Sequence, residues 1–144
     1  MPIGFFDKEY YMLSNFSAHA VLYKGKLYPT AEHAYHTGKF TDKHIHEAIR
    51  AARSPMAAKK LANETYSDKR RPDWNDLKVA VMQEVNRAKA EQHPEVRAAL
   101  LQSGGEELVE DSPHDSFWGC GGAGTGQNQM GKIWMKIRTE LQQS

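Results

Sequence analysis

The 144-residue chain is long enough for one compact domain and too short for two ordinary ones, so we predict a single domain over residues 1–144. Hydrophobic residues make up 40% and charged residues 26% of the chain, which is typical of a folded protein and excludes a wholly disordered one. The formal net charge of +1 excludes a strongly basic nucleic-acid coat and an acidic tail, but it allows a local basic patch.

Two further features bear on the compartment. Cys120 is the single cysteine, so no disulfide can form within the chain and a reducing compartment is favoured. No stretch approaches about 18 consecutive apolar residues, and the first residues lack the basic and apolar regions of a secretory signal. We therefore expect a soluble, cytoplasmic protein with no membrane partner.

A β-hairpin is the first element predicted in chain order. Residues 20–23 and 26–28 contain the apolar and aromatic side chains that favour strands, and Lys24-Gly25 separates them. Glycine permits the positive φ that a two-residue hairpin turn requires. The pattern therefore predicts two short antiparallel strands joined by a tight turn.

Helices are predicted for most of the remaining chain. Each start is marked by a residue that can cap a helix or by a proline suited to the first turn. These markers are Thr30, Asp42, Ser54 with Pro55, Asp73 and Pro94, and a last helix is predicted from about Asn128. Residues 107–110 are predicted as another short strand. The expected fold class is therefore α+β, a mainly helical domain with a small β-sheet or hairpin.

Charge is distributed unevenly along the chain. Residues 53–71 hold six basic and two acidic side chains, whereas residues 105–118 hold five acidic side chains and no lysine or arginine. Such runs are usually solvated faces. The alternative is a basic wall that attracts phosphate, opposite an acidic catalytic wall.

The stretch 119–126 is rich in glycine and contains a literal GxGxxG at Gly119, Gly121 and Gly124. A dinucleotide-binding fold places this motif at the first turn of a βαβ unit, and the single predicted helix that follows here excludes that fold. Two interpretations remain: a loop that holds phosphate or ribose on its backbone N–H groups, and a surface loop without a ligand.

Glu110 and Asp115 are close in sequence to Phe117 and Trp118. Apolar surroundings raise the pKa of a carboxyl group, as a general acid requires. Two carboxylates at a sugar carbon can stabilise an oxocarbenium ion and activate water. The alternative is a polar turn capped by its Asp and Ser side chains, with Trp118 in the core.

Glu32, His36 and Lys39 are spaced four and three residues apart, so they fall on one face of the first predicted helix. A solvated stripe of ion pairs is the ordinary explanation for this pattern. In a cleft, however, a lysine with a lowered pKa could attack an anomeric carbon or form a Schiff base with an opened sugar aldehyde.

Neither metal nor cysteine chemistry is expected. The histidines at positions 33, 36, 44 and 46 match neither HExxH nor the Cys/His spacings of zinc sites. Cys120 would need His114 as a base and a third group to orient it, and nothing in the sequence supplies that group. We therefore predict no metal and no other cofactor.

Several sequence blocks in a fixed order are more specific than any single motif. They are residues 13–16 (LSNF), 28–33 (YPTAEH) with Lys39, 57–59, Trp74 with 81–82, 108–110, 115–119 (DSFWG) and 126–138, which begins GQNQMGK. In this order they resemble the NADAR family, including its YbiA-like members, across about residues 5–138. The chain departs from the family pattern mainly at residues 121–125, so how this loop would contact a substrate stays open.

This resemblance implies a mainly helical fold and an N-glycosidase, which hydrolyses the bond between a ribose carbon and a nitrogen of a base. For YbiA-like members the implied substrates are phosphorylated ribosylamino-pyrimidines, the early riboflavin-pathway intermediates, and ribose 5-phosphate would be released. For other members the implied reaction is removal of ADP-ribose from guanine bases of nucleic acid, and the basic run 69–71 could track such a backbone. A non-catalytic module that binds ADP-ribose or a nucleotide is the further alternative.

The positions that match the family motifs are expected to line one pocket. The expected catalytic residues are Glu32, Lys39, Glu110 and Asp115, and the expected substrate-binding residues are Ser14, Asn15, Trp74, Trp118, Gly119 and Asn128. Glu110 or Asp115 would position water or stabilise the ribosyl cation, and Glu32 would act as acid/base or hold ribose hydroxyls. Lys39 would contact a phosphate or act covalently, and the two tryptophans would stack on the base.

Overall fold

The structure, a computed structural model, describes residues 2–5 and 8–143. In chain order its regular elements are β1 Ile3–Gly4, β2 Val21–Tyr23, β3 Lys26–Tyr28, α1 Ala31–Thr37, α2 Lys43–Arg50, α3 Pro55–Lys60, α4 Trp74–Gln92, α5 Pro94–Gln102, β4 Leu108–Val109 and α6 Gln129–Gln142. Helices predominate and the strands form two small sheets, which confirms the α+β class. None of the helices in the described part of the chain is both long and apolar enough to cross a bilayer.

The chain divides into two compact units. The central unit is Asn15–Gln92, and the terminal unit comprises Met1–Ser14 and His93–Ser144. That residues 1–144 act as one domain stays a prediction.

The central unit contains the predicted hairpin. Strands β2 and β3 pair antiparallel, with Val21 opposite Tyr28. Lys24 and Gly25 have φ angles of 51° and 80°, as both central residues of a type I′ turn require. The hairpin prediction is confirmed, and Lys24 adopts the left-handed conformation without being glycine.

Side-chain caps begin the first three helices where the sequence predicts them. The side chains of Thr30, Asp42 and Ser54 accept hydrogen bonds from the backbone N–H groups of His33, His44 and Ala57 at 3.2, 2.8 and 3.0 Å. Each bond satisfies an N–H group that has no partner inside its helix. These three caps therefore stabilise the starts of α1, α2 and α3.

Two apolar clusters form the interior of the central unit. One consists of Val21, Tyr28, Ala31, Ala34 and Val85. The other consists of Phe40, Ile45, Ile49, Ala58 and Ala62. Helix α1 packs against α2, α3 and α4. The helix that follows the hairpin is therefore enclosed by its neighbours.

The terminal unit is organised around α6 and a parallel strand pair. Strand β1 pairs with β4, with Ile3 opposite Leu108, and α6 packs against β4 and α5. The buried Trp134 donates from Nε1 to the carbonyl oxygen of Leu13 at 2.8 Å. The sequence predicted β4 but not β1, because a pair separated by about a hundred residues leaves no local pattern.

Helix α4 contains a buried lysine. Lys89 is fully buried, and its Nζ donates to Ser17 Oγ at 2.7 Å. The Oγ atom also lies 2.8 Å from Nδ1 of His19. Burial lowers the pKa of Lys89 to about 7, because an ammonium group loses its hydration in the interior.

We predict that Lys89 makes the stability of the protein depend on pH. An unfolded lysine keeps its proton up to about pH 10, whereas folded Lys89 loses it near pH 7. Between about pH 7 and pH 10 the unfolded state therefore binds one proton more than the folded state. In this range the free energy of unfolding rises with pH by up to about 1.4 kcal/mol per pH unit.

Urea unfolding at about pH 7.5, 8.5 and 9.5 measures this slope. Lys89→Met should have the smaller slope, and Lys60→Met, which removes an exposed lysine, should keep the wild-type slope. Equal slopes in wild type and Lys89→Met would contradict the prediction.

Candidate active site

Helix α1 is buried along its whole length, which decides how its polar face is to be interpreted. Glu32, His36 and Lys39 are only 8%, 3% and 7% exposed. Charged side chains are rarely buried to this extent unless they are paired or functional. The interpretation of these three residues as a solvated stripe of ion pairs is therefore wrong.

Glu32 is surrounded by hydrogen-bond donors. Its Oε2 lies 2.8 Å from Nε2 of His36, and its Oε1 lies 3.4 Å from Nδ2 of Asn15. Burial on its own would raise the pKa of Glu32. The hydrogen bond from His36, the positive charge of Lys59 and the bond from Asn15 together outweigh burial, so the pKa lies below its ordinary value. Glu32 is therefore a buried, ionised carboxylate near neutral pH.

Asn15 is fixed by three contacts within the central unit. Its carbonyl oxygen accepts from the N–H of Glu32 at 3.1 Å. Its side-chain Nδ2 also donates to Sδ of Met82 at 3.0 Å. The backbone bond places Asn15 beside the start of α1, where its amide faces the carboxylate.

Lys39 lies just after the end of α1, with its amine partly enclosed. Nζ donates to Oδ1 of Asn63 at 2.6 Å and lies 5.7 Å from the ring centre of Tyr35. Burial lowers the pKa of Lys39 to about 8, against the opposing charge of Glu32. About a tenth of the Lys39 side chains are therefore neutral at pH 7.

Three further cations act on Lys39 and contribute to its lowered pKa. They are Arg70, Lys59 and Lys78, in decreasing order of effect. Arg70 and Lys59 are exposed and Lys78 is half-buried. Arg70 and Lys59, which belong to the basic run 53–71, thus both act on one side chain. The basic wall that attracts phosphate stays a prediction.

Trp74 lies in the interior of the central unit. It is 3% exposed, and its ring centre lies 5.3 Å from that of Tyr35. The Tyr35 ring in turn contacts the His36 ring edge-on at 5.1 Å. Trp74 is therefore tied to the Glu32 cluster through aromatic contacts, and its stacking on a base stays a prediction.

In the terminal unit, Asp115 caps a turn. Its Oδ1 accepts from the backbone N–H groups of Phe117 and Trp118 at 2.9 and 2.8 Å. The two aromatic rings meet edge-on at 4.8 Å, and both are half-buried, so Trp118 is not a core residue. This geometry matches the polar turn that the sequence analysis left open, and the catalytic role of Asp115 stays a prediction.

The glycine-rich loop is folded by its own backbone hydrogen bonds. The N–H groups of Cys120, Gly126 and Gly124 donate to the carbonyl oxygens of Glu110, Cys120 and Gly121 at 2.9, 2.7 and 3.2 Å. A Cβ atom at Gly119 would lie 2.6 Å from the Glu110 carbonyl oxygen, so this close approach requires glycine. Since these N–H groups already have acceptors, they do not support the hypothesis of a phosphate-binding loop.

Asn128 joins the end of β4 to the start of α6. Its Oδ1 accepts from the N–H of Glu110, and its Nδ2 donates to the carbonyl oxygen of Leu108, both at 2.9 Å. Its φ of 50° is left-handed, a conformation that asparagine tolerates. Ser14 is buried, and its N–H donates to the carbonyl oxygen of Tyr11 at 2.8 Å. The substrate-binding roles of Ser14 and Asn128 stay predictions.

The structure therefore groups the expected site residues within each unit. Asn15, Glu32, Lys39 and Trp74 belong to one cluster of the central unit, and Glu110, Asp115, Trp118, Gly119 and Asn128 belong to one turn and loop region of the terminal unit. Asn63, the partner of Lys39, could not be predicted from the sequence, because no spacing rule links a residue after α3 to one after α1.

Comparison with known proteins agrees with this architecture. The family model described as the NADAR domain matches residues 4–142. The chain belongs to the NADAR family. N-glycosidase YbiA of Escherichia coli (strain K12) is 40% identical over 133 residues, which are 92% of this chain and 82% of the relative.

One further relative and a solved structure extend the comparison of this NADAR chain. A riboflavin biosynthesis protein of Vibrio vulnificus (strain YJ016) is 38% identical over 99% of this chain and 39% of its own length. The NMR structure of E. coli YbiA has a TM-score of 0.88 and 37% identity, and the match covers 99% of this chain and 84% of that one. The predicted family, the fold and the enzyme class, a hydrolase acting on N-glycosyl bonds, are confirmed.

We predict that Asp115→Ala lowers the free energy of unfolding by about 1 kcal/mol, because the N–H groups of Phe117 and Trp118 lose their acceptor. Asp115→Asn keeps an Oδ1 acceptor and should retain the wild-type stability. Chemical denaturation measures both variants, and equal stability of Asp115→Ala and wild type would contradict the assigned turn. Turnover by the stable Asn variant then shows whether the carboxylate has a chemical role as well.

Proposed function

We propose that this NADAR chain hydrolyses the N-glycosidic bond of ribosylated, phosphorylated compounds, such as ribosylamino-pyrimidine phosphates, and releases ribose 5-phosphate. The observation that carries the proposal is a buried pair of functional groups, the ionised Glu32 on α1 and, just after the end of that helix, the Lys39 amine with a pKa of about 8. The names of two relatives, an N-glycosidase and a riboflavin biosynthesis protein, support the same substrate class.

The two groups have complementary chemistry at a ribose carbon. Cleavage of an N-glycosidic bond passes through a state with positive charge on the sugar, which a buried carboxylate stabilises more strongly than an exposed one. The lowered pKa of Glu32 favours an ionised group, and therefore a stabiliser of cations or a base rather than a general acid.

In the proposed reaction, the neutral Lys39 amine attacks the anomeric carbon. The bond from that carbon to the base nitrogen breaks, and the base leaves with a proton. The ribose ring, now bonded to Nζ, opens to a Schiff base. Water then adds to the Schiff base, which releases the sugar aldehyde and restores the amine. A pKa of about 8 supplies both the neutral amine for attack and the protonated form for release.

The cations around Lys39 support a phosphorylated substrate. Arg70, Lys59 and Lys78 all disfavour a positive charge on Lys39, so an anionic group bound among them would be attracted by several charges at once. We assign the phosphate of the substrate to the exposed members of this set, Lys59 and Arg70.

Removal of ADP-ribose from guanine bases is the second candidate. It is favoured by the exposed Lys69 and Arg70, which could follow a phosphate backbone. Arg71 contributes less, because its guanidinium is held by Asp73 at 2.7 Å. Lys69 and Arg70 alone form a short basic track, so the small phosphorylated metabolite is the better-supported substrate.

We predict release of ribose 5-phosphate from a freshly prepared ribosylamino-pyrimidine phosphate, measured beside release of ADP-ribose from an ADP-ribosylated guanine oligonucleotide. The dephosphorylated pyrimidine substrate should have a KM raised by about a hundredfold, since Lys59 and Arg70 make two charge-assisted contacts to phosphate and each contributes about 1.5 kcal/mol. Release from the oligonucleotide alone would favour the second candidate. Binding of either compound without release would contradict both and favour a non-catalytic module.

Lys59→Ala and Lys60→Ala are a matched pair for the phosphate assignment, since both are exposed lysines of α3 and only Lys59 acts on Lys39. Lys59→Ala should raise KM for the phosphorylated substrate and leave KM for the dephosphorylated one unchanged. Lys60→Ala should change neither value.

We predict that kcat/KM rises with pH through about pH 8, because attack requires the neutral form of Lys39. If Lys39 only held a phosphate through its charge, kcat/KM would fall over the same range. Lys39→Arg keeps a positive charge at every pH in this range and removes the nucleophile. It should bind substrate and lose turnover, and retained turnover in this variant would contradict the covalent role.

A further inference from the structure

His36 is the closest partner of the Glu32 carboxylate. It follows Glu32 by one helical turn, and its Nε2 lies 2.8 Å from Oε2. The ring is 3% exposed and packs edge-on against Tyr35. A substrate would have to displace packed side chains to reach this ring, so the role of His36 must act through Glu32.

The second ring nitrogen of His36 is buried and has no hydrogen-bond partner in the described part of the chain. A proton on Nδ1 would therefore be an unsatisfied donor, which costs about 1–3 kcal/mol. Both the imidazolium cation and the tautomer with its proton on Nδ1 carry this cost. The environment thus selects the neutral ring with its proton on Nε2, and this proton is donated to Glu32.

We propose that His36 is a positioning residue for Glu32. Its Nε2–H bond fixes the orientation of the buried carboxylate and keeps it ionised. Its unpartnered Nδ1 disfavours a second proton on the ring, so His36 stays neutral and does not cancel the negative charge of Glu32. The assignment of the ionised state stands on the contacts of the pair. Its consequence for turnover rests on the proposed function.

Other charged groups around the pair also favour an ionised Glu32 and a neutral His36. Lys59 from α3 acts on both Glu32 and His36, and Lys39 acts on His36 from the end of α1. Both cations favour a negative Glu32 and disfavour a positive His36. Burial lowers the pKa of His36, and this effect exceeds the opposing influence of Glu32. Arg70 and Lys78 act on Lys39 and do not change the direction of either effect.

The direct test is NMR titration of Glu32 and His36, which needs no substrate. We expect ¹⁵N shifts of His36 typical of the neutral tautomer protonated at Nε2 between about pH 6 and pH 8. The ¹³C carboxyl signal of Glu32, assigned with Glu32→Gln, should titrate below the ordinary value of about 4.3. A charged imidazole at pH 7, or a Glu32 that titrates above its ordinary value, would overturn the proposal in the wild-type protein.

Two substitutions separate positioning from packing. His36→Gln places an amide donor in reach of Glu32 and should keep its pKa low. His36→Leu removes the donor, so the pKa of Glu32 should rise above its ordinary value. If the Leu variant does not fold, His36→Asn supplies the same comparison, because its shorter side chain cannot reach Oε2. An unchanged Glu32 titration in the donor-free variant would contradict the proposal.

Turnover provides a second measurement, in which the pH dependence is diagnostic. At low pH, kcat/KM of His36→Leu should fall below that of wild type by about tenfold for each unit by which the pKa of Glu32 has risen. The ratio of the two values should return towards one as the pH rises. Taking the ratio removes the part of the Lys39 titration that the two proteins share, and a protonated Glu32 would in addition no longer raise the pKa of Lys39. His36→Gln should keep kcat/KM within a fewfold of wild type, as a positioning role by hydrogen bonding requires.

The matched control is His33→Leu, which removes another buried histidine of α1. His33 bonds Thr30 and the carbonyl oxygen of Ala52 and has no hydrogen bond to Glu32 in the described part of the chain. This variant should lose stability without moving the Glu32 titration. A loss of kcat/KM in His36→Leu that does not vary with pH, like that of a packing variant, would overturn the proposal. If no tested compound is turned over, the proposed function fails while the titration still decides the role of His36.

Discussion

The burial of Glu32 is the constraint on which the functional cluster depends. A carboxylate inside a protein loses its hydration and is stable only when donors and positive charges replace the lost water. Here His36, Asn15 and Lys59 supply that replacement. The hairpin, the Thr30 cap and the packing of α1 on three other helices hold these groups in place, so the architecture of the central unit and the charge of Glu32 depend on each other.

The same enclosure acts on Lys39 in the opposite way. Burial disfavours its ammonium form, and the surrounding cations add to this effect, so the amine is partly neutral where an exposed lysine would be fully charged. Helix α1 and the residues just after it thus carry a buried anion that remains charged and a buried cation that readily gives up its proton. Membership of the NADAR family is consistent with such a pair serving N-glycosidic chemistry.

Much of the fold could be predicted because its signals are local. The Lys24-Gly25 turn and the Thr30, Asp42 and Ser54 caps are each decided by a few neighbouring residues, and the structure confirms them. The β1–β4 pair and the burial of Lys89 depend on contacts between distant residues and leave no periodic pattern. The ordered motif blocks identified Glu32 and Lys39, but the ionisation of these residues depends on their burial and on the side chains packed around them, which no spacing rule provides.

Reductive trapping of the reaction tests the central claim most directly. The protein is incubated with ribosylamino-pyrimidine phosphate and sodium cyanoborohydride, digested, and analysed by mass spectrometry. The account predicts a reduced ribosyl phosphate adduct on Lys39, formed faster from substrate than from added ribose 5-phosphate, with the exposed Lys60 as the internal control for non-specific labelling. Turnover without an adduct on Lys39, or equal labelling of Lys39 and Lys60, would contradict it.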